Sequence, residues 1–194
     1  DTTVPLPPLV TSPVAGTTLS SSSPTYSGTA EPNSTVRVEV DGVVVGTVTA
    51  SATGTWALLS PSPLSEGAHS VRARATDAVG NQSAAGPAVS FTVDTTAPGV
   101  PTITSPTAGA ASSNNRPLIQ GSADPGSIVT IRIDGTIIGT TVASSTGSFS
   151  FNPPSALPDG PHQVTAQAAD SIGNSSSVSA PRPFTVDTVA RAAP

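Results

Sequence analysis

Two histidines each follow an acid by three positions: His69 after Glu66, and His162 after Asp159. A histidine beside a carboxylate is half of a proton-transfer pair, and with a nucleophile it would support acyl transfer. No G-x-S-x-G turn accompanies either one. Zinc and phosphate-loop motifs are absent too. Both histidines fall at the start of a strand pattern, in its inward phase, which predicts a buried, hydrogen-bonded corner residue. No catalytic or cofactor-binding residue is assigned, and the chain is read as a non-enzyme. Trp56 has the chemistry of a sugar-stacking platform. Its phase with Leu58, and its replacement by Phe149 in an equivalent position, predict core packing instead. The chain has no lysine, so a Lys–Asn isopeptide cross-link cannot form. Acceptor patterns for N-glycosylation at Asn33, Asn81 and Asn174 are expected by chance in a Ser- and Thr-rich chain and are given no role.

Composition narrows the partners. Charged residues make up 10% of the 194 residues, all seven basic ones are arginine, and the net charge is −5. Without a basic cluster, nucleic acid is not an expected partner. No apolar run approaches the roughly 20 residues of a spanning helix, so membrane insertion is not expected either. The absence of cysteine removes disulfides and Cys-based metal sites but is compatible with export. No methionine and no signal peptide are present, and the chain is expected to be a piece of a longer protein.

The elements that must position these residues occur twice. Sliding the sequence by 93 positions pairs Asp1 with Asp94 and Asp94 with Asp187. VTSPVAG from Val10 matches ITSPTAG from Ile103. DGVVVGT from Asp41 matches DGTIIGT from Asp134. EGAHSVRARATDAVGN from Glu66 matches DGPHQVTAQAADSIGN from Asp159. The chain is thus two units plus eight residues, as expected for a window on a longer array.

Helical periodicity is weak and prolines interrupt most windows. Strand signals are clear. Val36, Val38 and Val40 alternate with Arg37 and Glu39, as Val129, Ile131 and Ile133 do with Thr130 and Arg132. Period 2 predicts an inward apolar face and an outward polar one. Asp41-Gly42 and Asp134-Gly135 predict two-residue hairpin turns that pair Val40 with Val43 and turn Val45 and Ile138 inward. Further strands are predicted around Val10 and Ile103, at Thr25 to Ala30 with Tyr26 and Ile119 as core anchors, at Trp56 to Leu58, from His69 to Ala75, and at Phe91 to Val93. About seven short strands per unit indicate an all-β chain of two tandem immunoglobulin-like β-sandwiches. The boundaries follow: 1–8 the end of a preceding linker, 9–93 the first repeat, 94–102 the inter-domain linker, 103–186 the second repeat, and 187–194 a C-terminal linker.

The run SGTAEPNSTVRVEVDG, then GTWAL, EGAHSVRARATDAVGN and FTVDTTAP, resembles the bacterial Ig-like repeats of large surface adhesins and related exported proteins. The resemblance implies an exported, rod-like stalk at the bacterial cell surface, with neighbouring Ig-like repeats as partners in the same chain. Any host, cell-surface or matrix ligand is then expected outside this segment. Alternative readings are a glycan- or protein-binding module and accessory domains of an exported enzyme. The second copy departs from the pattern at Phe149, and at Arg191 where the linker proline is expected.

Tracing strands that alternate in direction places the loops at Glu31-Pro32, Thr53-Gly54 and Asp77 to Asn81 at the N-terminal pole of a unit. Asp41-Gly42 and Glu66-Gly67 fall at the C-terminal pole. Asp94, Asp170, Asp124 and Asn174 are therefore expected to converge on the junction between repeats. Calcium takes six to eight oxygen ligands, and in resembling adhesins it stiffens such junctions. The equivalent half-site would be Asp1, Asp77 and Glu31. The competing reading is metal-free: Asp-x-x-Gly-Asn is also a self-sufficient turn, and no D-x-D-x-D ladder is present.

Overall fold

Alternating apolar residues and Asp-Gly turns fold into paired sheets in both repeats. The computed structural model describes residues 2–189, and among these there are strands and turns but no helix. The chain divides into two units, Asp1–Thr95 and Thr96–Pro194. The first contains β1 (Leu9–Ser12), β2 (Thr18–Leu19), β3 (Thr25–Thr29), β4 (Thr35–Val40), β5 (Val43–Thr49), β6 (Thr55–Leu59), β7 (Gly67–Thr76) and β8 (Val89–Val93). The second repeats them as β9 (Thr102–Ser105), β10 (Ala111–Ser112), β11 (Ile119–Ser122), β12 (Ile128–Ile133), β13 (Thr136–Val142), β14 (Ser148–Phe151), β15 (Gly160–Ala169) and β16 (Arg182–Val186).

Each unit has a three-stranded sheet, β1-β3-β6 or β9-β11-β14, and a five-stranded one, β2-β8-β7-β4-β5 or β10-β16-β15-β12-β13. The eighth strand, not expected from the sequence, is the two-residue β2 or β10. It pairs in parallel with the last strand of its unit. β1 and β2 act as two halves of one edge strand: the first half pairs with β3, the second with β8. The Ser12–Pro13 bond between them is cis, as is Ser105–Pro106.

The expected inward residues form the cores. Tyr26, Val36, Val38, Val71 and Phe91 are fully buried in the first unit, and Ile119, Val129, Ile131, Val164 and Phe184 in the second. Val45 and Ile138 pack against these cores from their edge strands. Trp56 and Phe149 are buried, each lying across a glycine. A Cβ on Gly28 would sit 1.9 Å from the Leu9 carbonyl oxygen and 2.9 Å from the Trp56 ring. The neighbouring strand and the indole both approach too closely for any side chain there. Gly121 meets the Thr102 carbonyl and Phe149 in the same way.

One outward residue departs from the pattern. Glu39 faces away from the core, as alternation requires, yet it is buried, beneath arginines from β4 and β7.

Candidate functional site

The residues with chemical potential gather at the two poles of each unit. At the C-terminal pole, Asp41 and Gly42 adopt φ values of 50° and 80°, the left-handed pair of a type I′ turn. Pairing of Val40 with Val71 carries this turn to the beginning of β7. There the Asp41 carboxylate accepts the Ser70 N–H at 2.8 Å, and His69 Nδ1 donates to its other oxygen at 2.7 Å. His69 Nε2 donates to the Ser65 carbonyl at 2.9 Å. The second unit repeats the corner: Gln163 N–H to Asp134 at 2.8 Å, His162 Nδ1 to Asp134 at 2.6 Å, and Nε2 to the Pro158 carbonyl at 2.9 Å. Each imidazole also lies against a core ring, Phe91 or Phe184.

An ionised carboxylate and a carbonyl can only accept, so both ring nitrogens are called on to donate, which favours the imidazolium form. His69 is accordingly held above its ordinary value of 6.5, chiefly by the hydrogen bond to Asp41. For His162 burial is the largest single influence and pulls the other way, but the bonds to Pro158 and Asp134 overcome it. Burial likewise opposes ionisation of Asp41 and Asp134, and the bonds from the histidines and from β7 and β15 outweigh it, so both carboxyls lie low. The acid paired with each histidine is therefore the turn aspartate 28 positions earlier, not the nearby Glu66 or Asp159. The nitrogen that would face a nucleophile in a Ser-His-Asp triad is occupied by a main-chain carbonyl. The corner is a clamp between two strands.

Glu66 and Asp159 do other work. The Glu66 carboxylate accepts the Thr95 N–H at 3.0 Å on each oxygen, and the Thr95 hydroxyl donates to it as well. Asp159 accepts the Thr188 N–H at 3.0 Å and the Thr188 hydroxyl at 2.8 Å. The threonine of the DTT phrase is thus held by the unit that it leaves. Asp94 and Asp187 precede it, their N–H groups bonded to the Leu19 and Ser112 carbonyls.

At the N-terminal pole the Asp170 carboxylate accepts the N–H groups of Ile172 and Asn174 and the Asn174 side-chain amide. Asp77 does the same for Val79 and Asn81, and the Asn81 amide also reaches the Thr3 carbonyl at 3.2 Å. Asp124 accepts the Gly99 N–H at 2.8 Å. Glu31, its equivalent, accepts Ser34 through its main-chain carbonyl. Asp1 and Arg191 lie outside the described residues. Within each unit, no three His, Asp or Glu side chains among the described residues gather as a metal-holding group. Thr95, Thr188 and Gly99 were not singled out in the sequence. The signal was there in the recurring DTT phrase, but its acceptor lies 29 positions back. No helix among the described residues is long and apolar enough to cross a membrane.

Among solved structures, the fibronectin(III)-like modules of Clostridium thermocellum CbhA share 20% identity over 92% of this chain and 93% of theirs, with a TM-score of 0.56. A marsupial T cell receptor shares 9% over 93% of this chain and 72% of its own, with a TM-score of 0.55. Both show the sandwich fold alone. A 1.5-MDa bacterial ice-binding adhesin gives 21% identity over 94% of this chain, which spans 66% of the adhesin chain, at a TM-score of 0.40. No curated protein matches. A family model described as a bacterial Ig-like domain matches twice, over residues 15–95 and 105–188, once in each unit. The chain belongs to the bacterial Ig-like domain family, as two tandem copies.

Proposed function

We propose that this chain is a non-catalytic spacer segment of an extracellular bacterial surface protein, one that holds a distal functional domain away from the cell. The observation that carries this reading is how the linker is held. Glu66 of the first unit binds Thr95, and Asp124 of the second binds Gly99. Only Thr96, Ala97 and Pro98 lie between the two anchored positions. Pro98 stiffens that stretch, and Pro101 the residues just beyond it. A passage restrained from both sides suits a stalk that transmits length. Small-angle scattering on the intact chain tests it: the expected profile is that of an extended two-unit particle, and one of two units folded back on each other would overturn the proposal.

Calcium belongs to the same proposal. Asp94 on the linker, with Asp124, Asp170 and Asn174 on loops at the N-terminal pole of the second unit, would supply its oxygen ligands. The carboxylates of Asp170 and Asp124 already accept hydrogen bonds, though oxygens so bonded retain lone pairs for a cation. A melting temperature that rises with calcium over chelator is the expected result. Identical melting curves would remove the metal and leave the spacer reading intact.

A further inference from the structure

The outward face of the first unit's five-stranded sheet carries a charge cluster that the second unit lacks. In the β4–β7 pairing Arg37 stands opposite Arg74, and Glu39 opposite Arg72. Like charges opposed across a ladder repel, and Glu39 ties them together. Its carboxylate accepts Arg37 Nη2 at 2.9 Å and Arg72 Nε at 2.8 Å, with Arg74 Nε at 3.6 Å. The carboxylate is 6% exposed, whereas the three arginine side chains are 28–42% exposed. One carboxylate cannot neutralise three guanidinium groups, so the face is locally cationic in a chain of net charge −5. The Nε atoms of Arg37 and Arg74 are buried and have no hydrogen-bond acceptor among the described residues, as is true of Arg132 Nη1 in the second unit, so a ligand would meet the exposed ends of the guanidinium groups. In the second unit the equivalent positions are Thr130, Arg132, Thr165 and Gln167, where a single guanidinium donates to Gln167 at 3.1 Å.

We propose that this face of the first unit docks an anionic polysaccharide, one bearing carboxylate or sulfate groups. Guanidinium forks match the planar oxygens of such groups. Around the arginines, on the same face, stand the hydroxyls of Thr47, Thr76 and Ser90, suited to sugar hydroxyls, while Ser70 at the edge of the face already donates to the Asp41 carboxylate. The face has no aromatic anchor, which a protein partner's hot spot or stacked single-stranded bases would use. Its one sizeable apolar side chain is Val44, opposite Glu39.

The test is retention of the intact chain on polygalacturonate and on dextran sulfate, with neutral dextran and poly-glutamate as further arms. Binding to one or both anionic polysaccharides, weakened by salt, is expected, and the stronger arm identifies the anion. R37Q/R74Q should lose roughly tenfold in affinity, while R132Q in the second unit should bind as the parent does. Should R37Q/R74Q not fold, transplanting the cluster decides: T130R/R132E/T165R/Q167R should add a second site and raise the stoichiometry. Retention unaffected by R37Q/R74Q, equal retention on neutral dextran, tighter binding to poly-glutamate, or no binding to either anionic polymer would overturn the proposal.

Discussion

The two units agree at their C-terminal poles and disagree on their outward sheet faces. The Asp41–His69 and Asp134–His162 corners match to within 0.1 Å in their shortest bond. The Thr95 and Thr188 clasps use the same atoms on an acid that differs by one methylene. By contrast, Glu39 under three arginines becomes Arg132 beside Gln167. The poles set strand connection and linker exit, so any change there propagates along an array. An outward face is bounded only by its own cross-strand neighbours and can be rebuilt in one repeat without disturbing the next. The comparison separates the parts that make a repeat from the parts that distinguish one repeat from another.

The largest effect should come from the core difference between the copies. Trp56→Ala should cost the first unit about 3–5 kcal/mol, read by urea unfolding followed by circular dichroism. Trp56→Phe installs the second unit's residue and should cost about 1 kcal/mol or less. The buried indole Nε1 has no hydrogen-bond partner among the described residues, so its removal strands no partner. If Phe proves as costly as Ala, the two cores are not interchangeable solutions.

Much of this core was legible, because alternation and the 93-residue repeat pointed to the same inward residues twice. Less was legible where contacts depend on sheet order. His69 was rightly placed inward, but its partner could be found only once β4 was known to lie beside β7. Glu39 was rightly placed outward. Alternation says which face a residue takes and nothing of what arginine stems then cover it. The two-residue β2 has no pattern to read: its pairing to β8 is set by the strand end opposite, not by its own Thr-Leu.

Next in size is the charge cluster. Glu39→Gln removes the tie between Arg37, Arg72 and Arg74 and should destabilise the first unit by about 1–2 kcal/mol, reduced by solvent screening of the partly exposed guanidinium groups. Arg132→Gln should change the second unit by less than about 0.5 kcal/mol. Trp56 is the chain's one tryptophan, so its fluorescence reports the first unit alone. Acid should draw the same distinction. The bond from Arg72 is the strongest of the influences that hold Glu39 below its ordinary value of 4.5. A lowered folded pKa adds stability above the unfolded value and loses it as pH falls through the folded one. The first unit should therefore fail ahead of the second on acidification below about pH 4.5. Simultaneous loss would mean that the cluster contributes little.

The alkaline side should show agreement instead. Both histidines are raised above 6.5, so their contribution is complete below that value and is lost as pH rises through the folded pKa. The melting temperatures of both units should decline together from about pH 6.5 upward. Asp41→Asn should flatten that dependence in the first unit and leave the second unchanged. A decline that survives Asp41→Asn would assign it to another group.

The smallest effect on stability, and the most telling for the linker, concerns the two acids that hold it. Glu66→Gln and Asp124→Asn weaken exposed hydrogen bonds and should each shift unfolding by less than about 0.5 kcal/mol. If those bonds restrain the passage, scattering from the double variant should show a broader distribution of intraparticle distances than the parent at unchanged melting temperature. Pro98→Gly offers the other limit, since it frees the backbone between the anchors without touching either acid. Equal broadening in the two variants would mean that anchors and proline act on one restraint. Broadening in Pro98→Gly alone would leave the proline as the source of stiffness. Glu66 and Asp124 would then be ordinary surface acids, and the agreement between the Thr95 and Thr188 clasps would reflect only how each β-strand ends.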